Sequence, residues 1–132
     1  LECLLAEVFK KIPGVIDVKW QGGAGDHGAD ILVTFDGGLP IPGLEKQTVL
    51  VVQVKSYEGD HWDTRAVEDI KRAFEHYPEA SMGLIISTAN AITTPVEKEL
   101  DKLKEESGKP VSILVGPDVA AFLLRYGAKL LA

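Results

Sequence analysis

Between residues 30 and 55 the chain carries two runs that are apolar on both faces, joined by a stretch broken up by Gly and Pro. Ile31, Leu32 and Val33 begin the first run, and Val49, Leu50, Val51 and Val52 fill the second, which ends in Gln53-Val54-Lys55. A strand apolar on both sides belongs in the middle of a sheet that is covered by helices. The connection at residues 36–47, Asp-Gly-Gly-Leu-Pro-Ile-Pro-Gly-Leu-Glu-Lys-Gln, has the composition of a long hairpin loop. Such a loop makes the two strands antiparallel neighbours, so the start of the first lies beside the end of the second. Strand alternation sends Gln53 and Lys55 to one face while Val52 and Val54 take the other. A carboxylate at Asp30, an amide and an ammonium can then share one surface. Burying such a charged pair is costly unless something compensates it, and that cost is the first sign of a site.

Around this pair the rest of the chain alternates between helix and strand signals. Leu1, Leu4, Leu5, Val8, Phe9 and Ile12 recur at helical spacing until Pro13-Gly14. A short strand at 15–20 follows, then the strands at 30–35 and 48–56. Asp63 or Thr64 can cap a helix whose stripe is Val67, Ile70, Phe74 and Tyr77, ended by Pro78. Residues 82–88 read as a buried strand. Thr94-Pro95-Val96-Glu97 combines a capping box with Pro at the first helical position, and Gly108 ends that helix. A strand at 111–115 and a helix at 118–126, closed by Gly127, complete the order α-β-β-β-α-β-α-β-α. The expected fold is therefore α/β, an antiparallel front half followed by right-handed crossovers to parallel strands. There is no internal repeat and no domain boundary.

Directly before Asp30 runs a glycine-rich loop, Gly22-Gly23-Ala24-Gly25-Asp26-His27-Gly28-Ala29. Gly-Asp-x-Gly-x-Asp at 25–30, an apolar strand, and Gln53-x-Lys55 together resemble the Mrr-type restriction endonuclease catalytic domain. That family is a branch of the PD-(D/E)xK nuclease superfamily in which glutamine often replaces the acidic residue of the third motif. The first helix with Leu1-Glu2 and the strand Gly83-Leu84-Ile85-Ile86-Ser87-Thr88 extend the resemblance over most of the chain.

The resemblance implies a restriction-endonuclease-like mixed sheet flanked by helices, and a Mg²⁺-dependent DNA endonuclease of restriction or repair type, with Mn²⁺ as substitute ion. Asp30 is the implied metal-binding carboxylate, consistent with the habit of Mg²⁺ of taking one or two protein carboxylates and completing its octahedron with phosphate and water. Gln53 would contribute its side-chain oxygen, Val54 its carbonyl, and Glu2 a further carboxylate. Lys55 would orient or deprotonate the attacking water and neutralise charge on the transition state. The implied products carry 5′-phosphate and 3′-hydroxyl ends. Each residue also has an ordinary structural reading. Asp30 could bond the glycine loop's amides, Lys55 could pair with Asp30, and Glu2 could sit at a helix start favoured by the dipole. Asp26 fits an Asx turn better than a ligand. Tyr57, Trp62, Arg65 and Ser87 are further candidates for contact with DNA, Trp62 by stacking on a base and Arg65 by touching phosphate. His27 and His61 form no metal-ligand spacing.

At 132 residues the chain is one domain by size, with 45% hydrophobic and 26% charged residues, both ordinary for a globular protein. Its first residue is Leu rather than Met, which leads us to expect one catalytic domain, 1–132, excised from a longer chain. The lone Cys3 excludes an internal disulfide, and the absence of a long apolar run or signal-like N-terminus points to a cytoplasmic setting away from membranes. The net charge of -6 argues against a free-standing DNA binder, since Lys and Arg supply most non-specific affinity. DNA as partner thus implies a separate recognition domain, and a homodimer is needed if both strands are cut. The competing reading is a catalytically weak or inactive nuclease fold serving DNA binding or protein assembly.

Overall fold

The computed structural model describes residues 2–20, 29–39, 41–44, 46–55, 65–89 and 91–131; of Glu2 and residues 128–131 it describes the backbone alone. Helix α1, Glu2–Phe9, buries Leu5, Val8 and Phe9 as the spacing requires. It stops short of Ile12, where the amides of Lys11 and Ile12 bond back to Val8 and Phe9 over three residues, tightening the end before Gly14 turns the chain at φ 92. Strand β1, Val15–Trp20, then enters the sheet at its edge.

Strands β2 (Ile31–Asp36) and β3 (Gln47–Lys55) are antiparallel, in a register that runs from Ile31 opposite Val52 to Asp36 opposite Gln47. Helix α2 (Arg65–His76) leads to β4 (Ala80–Ser87), and α3 (Thr94–Ser107) leads to β5 (Val111–Leu114). Both β4 and β5 pair parallel, giving a mixed sheet in the order β1-β2-β3-β4-β5, and α4 (Gly116–Leu131) closes the chain. The antiparallel front and parallel back are the arrangement the sequence predicts.

Each face of the sheet has its own core. Val51, Ile85 and Ile113 meet Val67, Ile70 and Phe74 of α2 and Val96, Leu100 and Leu103 of α3. On the other face Ile31, Val33, Val52 and Ile86 meet Leu5 and Phe9 of α1 and Val119 of α4. The bounds of α3 and α4 also differ from expectation. Helix α3 begins one residue earlier than the capping box proposes: Thr93 is the N-cap, makes no side-chain cap bond, and instead accepts from the Glu97 amide at 3.0 Å through its carbonyl. Proline's fixed φ suits this second helical position as well as the first. Helix α4 starts at Gly116 and runs through Gly127 rather than ending there. A Cβ at Gly127 would lie 3.0 Å from Val8 Cγ2, so this glycine lets α4 approach α1 and is not a stop.

Candidate functional site

Asp30 stands one residue ahead of β2, where the ladder with β3 runs out. Its amide donates to the Val52 carbonyl at 2.9 Å, and its Oδ2 accepts from the Val54 amide at 2.8 Å. The carboxylate thus fills the hydrogen-bonding position that the next residue of β2 would have held, and it is fixed against the Gln53-Val54-Lys55 backbone. A strand residue directs its N–H and C=O to the same side, so the Val54 carbonyl also faces Asp30. Asp30 and Gln53 are 4% and 6% exposed.

Packing identifies the face. Val51 and Ile85 lie in the core beneath α2 and α3, so Gln53, Lys55 and Ser87 continue that face by alternation, with Gln53 opposite Ile85 and Lys55 opposite Ser87. Leu32 packs against the same core, which places Asp30 on that face too. The strand parity inferred from sequence therefore holds, and Asp30, Gln53 and Lys55 come together at the carboxyl ends of the parallel strands, the edge at which open α/β sheets bind ligands.

Gln53 carries an unsatisfied polar group. Its Oε1 is buried with no hydrogen-bond partner among the described residues, a condition costing about 1–3 kcal/mol. An amide oxygen left open beside a carboxylate and a strand carbonyl is a hard-oxygen donor set suited to Mg²⁺ or Mn²⁺. Among the described residues no three His, Cys, Asp or Glu side chains gather to hold an ion unaided.

Lys55 departs from the ordinary structural reading given above: its ion pair is not the expected one with Asp30. Its Nζ lies 2.6 Å from Oδ2 of Asp69 on α2, and Asp69 Oδ1 accepts from Arg72 at 3.1 Å. Sequence reasoning missed Asp69. The signal was its place at the border of the α2 stripe, between Ala66 and Ala73, which are both fully buried and small enough to let a short acid reach the sheet. Ser87 is wholly buried, and its Oγ accepts from the Ala89 amide at 3.1 Å. Arg65 begins α2 with an exposed side chain. Glu2 opens α1, but its side chain, and residues Asp26, His27, Tyr57, His61, Trp62, Asp63 and Thr64, lie outside the described residues. Among the described residues no helix is long and apolar enough to cross a membrane.

Comparison with solved structures finds the restriction endonuclease MspJI in complex with a 27-mer oligonucleotide, at a TM-score of 0.64 and 18% identity over 92% of this chain and 26% of that one. It also finds AspBHI, a DNA modification-dependent restriction endonuclease, at a TM-score of 0.61 and 15% identity over 96% of this chain and 30% of that one. The chain thus shares the restriction-endonuclease-like fold and spans between a quarter and a third of these neighbours' lengths. No curated protein matches it. A family model described as a restriction endonuclease, Mrr_cat, matches residues 1–123, and by that match the chain belongs to the Mrr-type restriction endonuclease catalytic-domain family.

Proposed function

We propose that this domain is a metal-dependent endodeoxyribonuclease that hydrolyses phosphodiester bonds in DNA. The observation that carries this reading is the buried Oε1 of Gln53, without a hydrogen-bond partner among the described residues, on the strand adjacent to the fixed carboxylate of Asp30. Asp30, Gln53 Oε1 and the Val54 carbonyl would hold Mg²⁺ or Mn²⁺, with Glu2 as a further ligand. When bound, the ion supplies Lewis-acid polarisation of the phosphate and a more acidic water. The protein's own part is positional. Asp30 is locked by the Val54 amide, so its carboxylate needs no reorganisation when substrate arrives. Lys55 presents an ammonium on the same face, able to donate to a phosphate oxygen or to the attacking water and to offset the charge that builds there. Because Gln53 brings no charge, the site holds one carboxylate fewer than an acidic residue would give it, and metal affinity then depends more on substrate phosphate.

The supporting experiment incubates supercoiled and linear DNA with the domain in Mg²⁺, Mn²⁺ or EDTA. Cleavage is expected only with metal, and Asp30→Asn and Lys55→Ala should each lower it by at least about 100-fold. Equal cutting by either variant removes the mechanism. Since the structural neighbours are three to four times longer, sequence recognition and a dimer able to cut both strands belong, in this reading, to a longer chain with a DNA-recognition domain. A second reading, a nuclease fold kept for DNA binding or assembly, is favoured by the net charge of -6 and by the ion pair already engaging Lys55. Calorimetric titration separates the two, because an assembly module has no reason to bind Mn²⁺ through Asp30.

A further inference from the structure

The geometry points to Asp69 as a positioning residue that holds the Lys55 ammonium at the Asp30–Gln53 end of the sheet. This inference rests on the nuclease reading for its catalytic consequence and on geometry alone for the tether itself. The ion pairs Lys10–Glu7 and Lys104–Asp101 lie within single helices, three residues apart, with exposed partners, an arrangement that contributes little. Lys55–Asp69 is of another kind. It joins the last residue of a central strand to the helix crossing above it, at 2.6 Å, with side chains only 25% and 17% exposed. A half-buried pair is screened far less by salt than a surface one.

Packing explains why the contact exists. Ala66 and Ala73 flank Asp69 one turn away on either side, both fully buried, and the neighbouring Ile70 presses on Gly83, where a Cβ would stand 3.0 Å from Ile70 Cγ2. Small residues on both sides of this interface seat α2 close enough for a two-carbon acid to reach the end of β3. Lysine carries a flexible four-carbon stem whose head otherwise samples many positions. Tethering it removes that freedom before substrate binds, while the ammonium keeps two further N–H groups for a phosphate oxygen or a water. Arg72, more than half exposed and three residues along the same helix, meets the second oxygen of Asp69 at 3.1 Å and adds little to this tether.

The test compares wild type, Asp69→Asn, Asp69→Glu and the control Asp101→Asn by thermal melting, by ¹⁵N NMR of lysine ammonium groups, and by single-turnover DNA cleavage at saturating Mg²⁺. The Lys55 ammonium resonance is expected to be visible through slowed exchange with water and lost in Asp69→Asn, with the fold intact. Asp69→Asn should lower the cleavage rate roughly 10- to 100-fold with substrate affinity changed less than about twofold, the scale at which supporting residues act. Asp69→Glu should recover part of the rate, and Asp101→Asn should match wild type. An unchanged ammonium resonance, an unchanged rate or a faster rate in folded Asp69→Asn overturns the inference, a faster rate marking the pair as a restraint on Lys55. A wild-type domain that cuts no DNA under any metal condition defeats the nuclease reading instead, and the resonance then decides the tether by itself.

Discussion

Asp30 has two separable properties, its charge and its ability to accept from the Val54 amide. Asparagine keeps an acceptor and alanine does not. Asp30→Ala leaves a buried N–H unpaired and should cost about 1–3 kcal/mol, a melting temperature several degrees lower for a domain of this size. Asp30→Asn should melt much closer to wild type while losing the metal-dependent rise in melting temperature. Differential scanning fluorimetry with and without Mn²⁺ checks both, and equal melting of the two variants would mean that the Val54 bond adds nothing. Gln53 yields the complementary experiment. Gln53→Glu places a second carboxylate in a buried position beside the first, which disfavours the charged form and should lower stability in EDTA. The same change supplies the missing negative charge for a cation, so Mn²⁺ should raise the melting temperature of Gln53→Glu by more than it raises that of wild type. A smaller rise would place the cation elsewhere.

At the scale of elements, the seat of α2 on the sheet determines whether Asp69 reaches Lys55. Gly83 faces this helix, and a methyl group there would meet Ile70 Cγ2 at 3.0 Å and Phe74 Cζ at 3.1 Å, both side chains packed in the core. Gly83→Ala should therefore cost about 1–3 kcal/mol by overpacking and should reduce cleavage along with stability. Urea unfolding together with the cleavage rate checks this, and a variant as stable as wild type would show that the helix yields at no cost. The same interface explains what could and could not be read from sequence. Period-two and helical spacing yield the succession of elements along the chain and the shared face of Asp30, Gln53 and Lys55, because alternation is a local property of the chain. The Asp69 contact depends on how closely a helix sits over a strand, which the spacing of α2 hints at through Ala66 and Ala73 but does not determine. Gly127 was misread for a similar reason. Glycine ends helices and also lets helices approach, and only the position of Val8 tells which.

For the molecule as a whole, a net charge of -6 sets the terms of any encounter with DNA. Non-specific binding draws on counterion release by Lys and Arg, and typical dissociation constants at physiological salt are about 10⁻⁴ to 10⁻⁶ M. The isolated domain should lie at or beyond the weak end of that range, with a shallow dependence on salt, as fluorescence anisotropy with a labelled duplex would show. Micromolar binding by the domain alone would mean that its basic side chains form a stronger surface than the overall charge conveys. The β2–β3 hairpin has a practical consequence at this scale. Its bend, carrying the exposed Leu39, Ile41 and Leu44, joins Asp36 to Gln47, six residues along each strand from Asp30 and Gln53, a span of roughly 20 Å. A fluorophore or affinity handle grafted there would report on the domain from the opposite pole, leaving the Asp30–Gln53 end untouched.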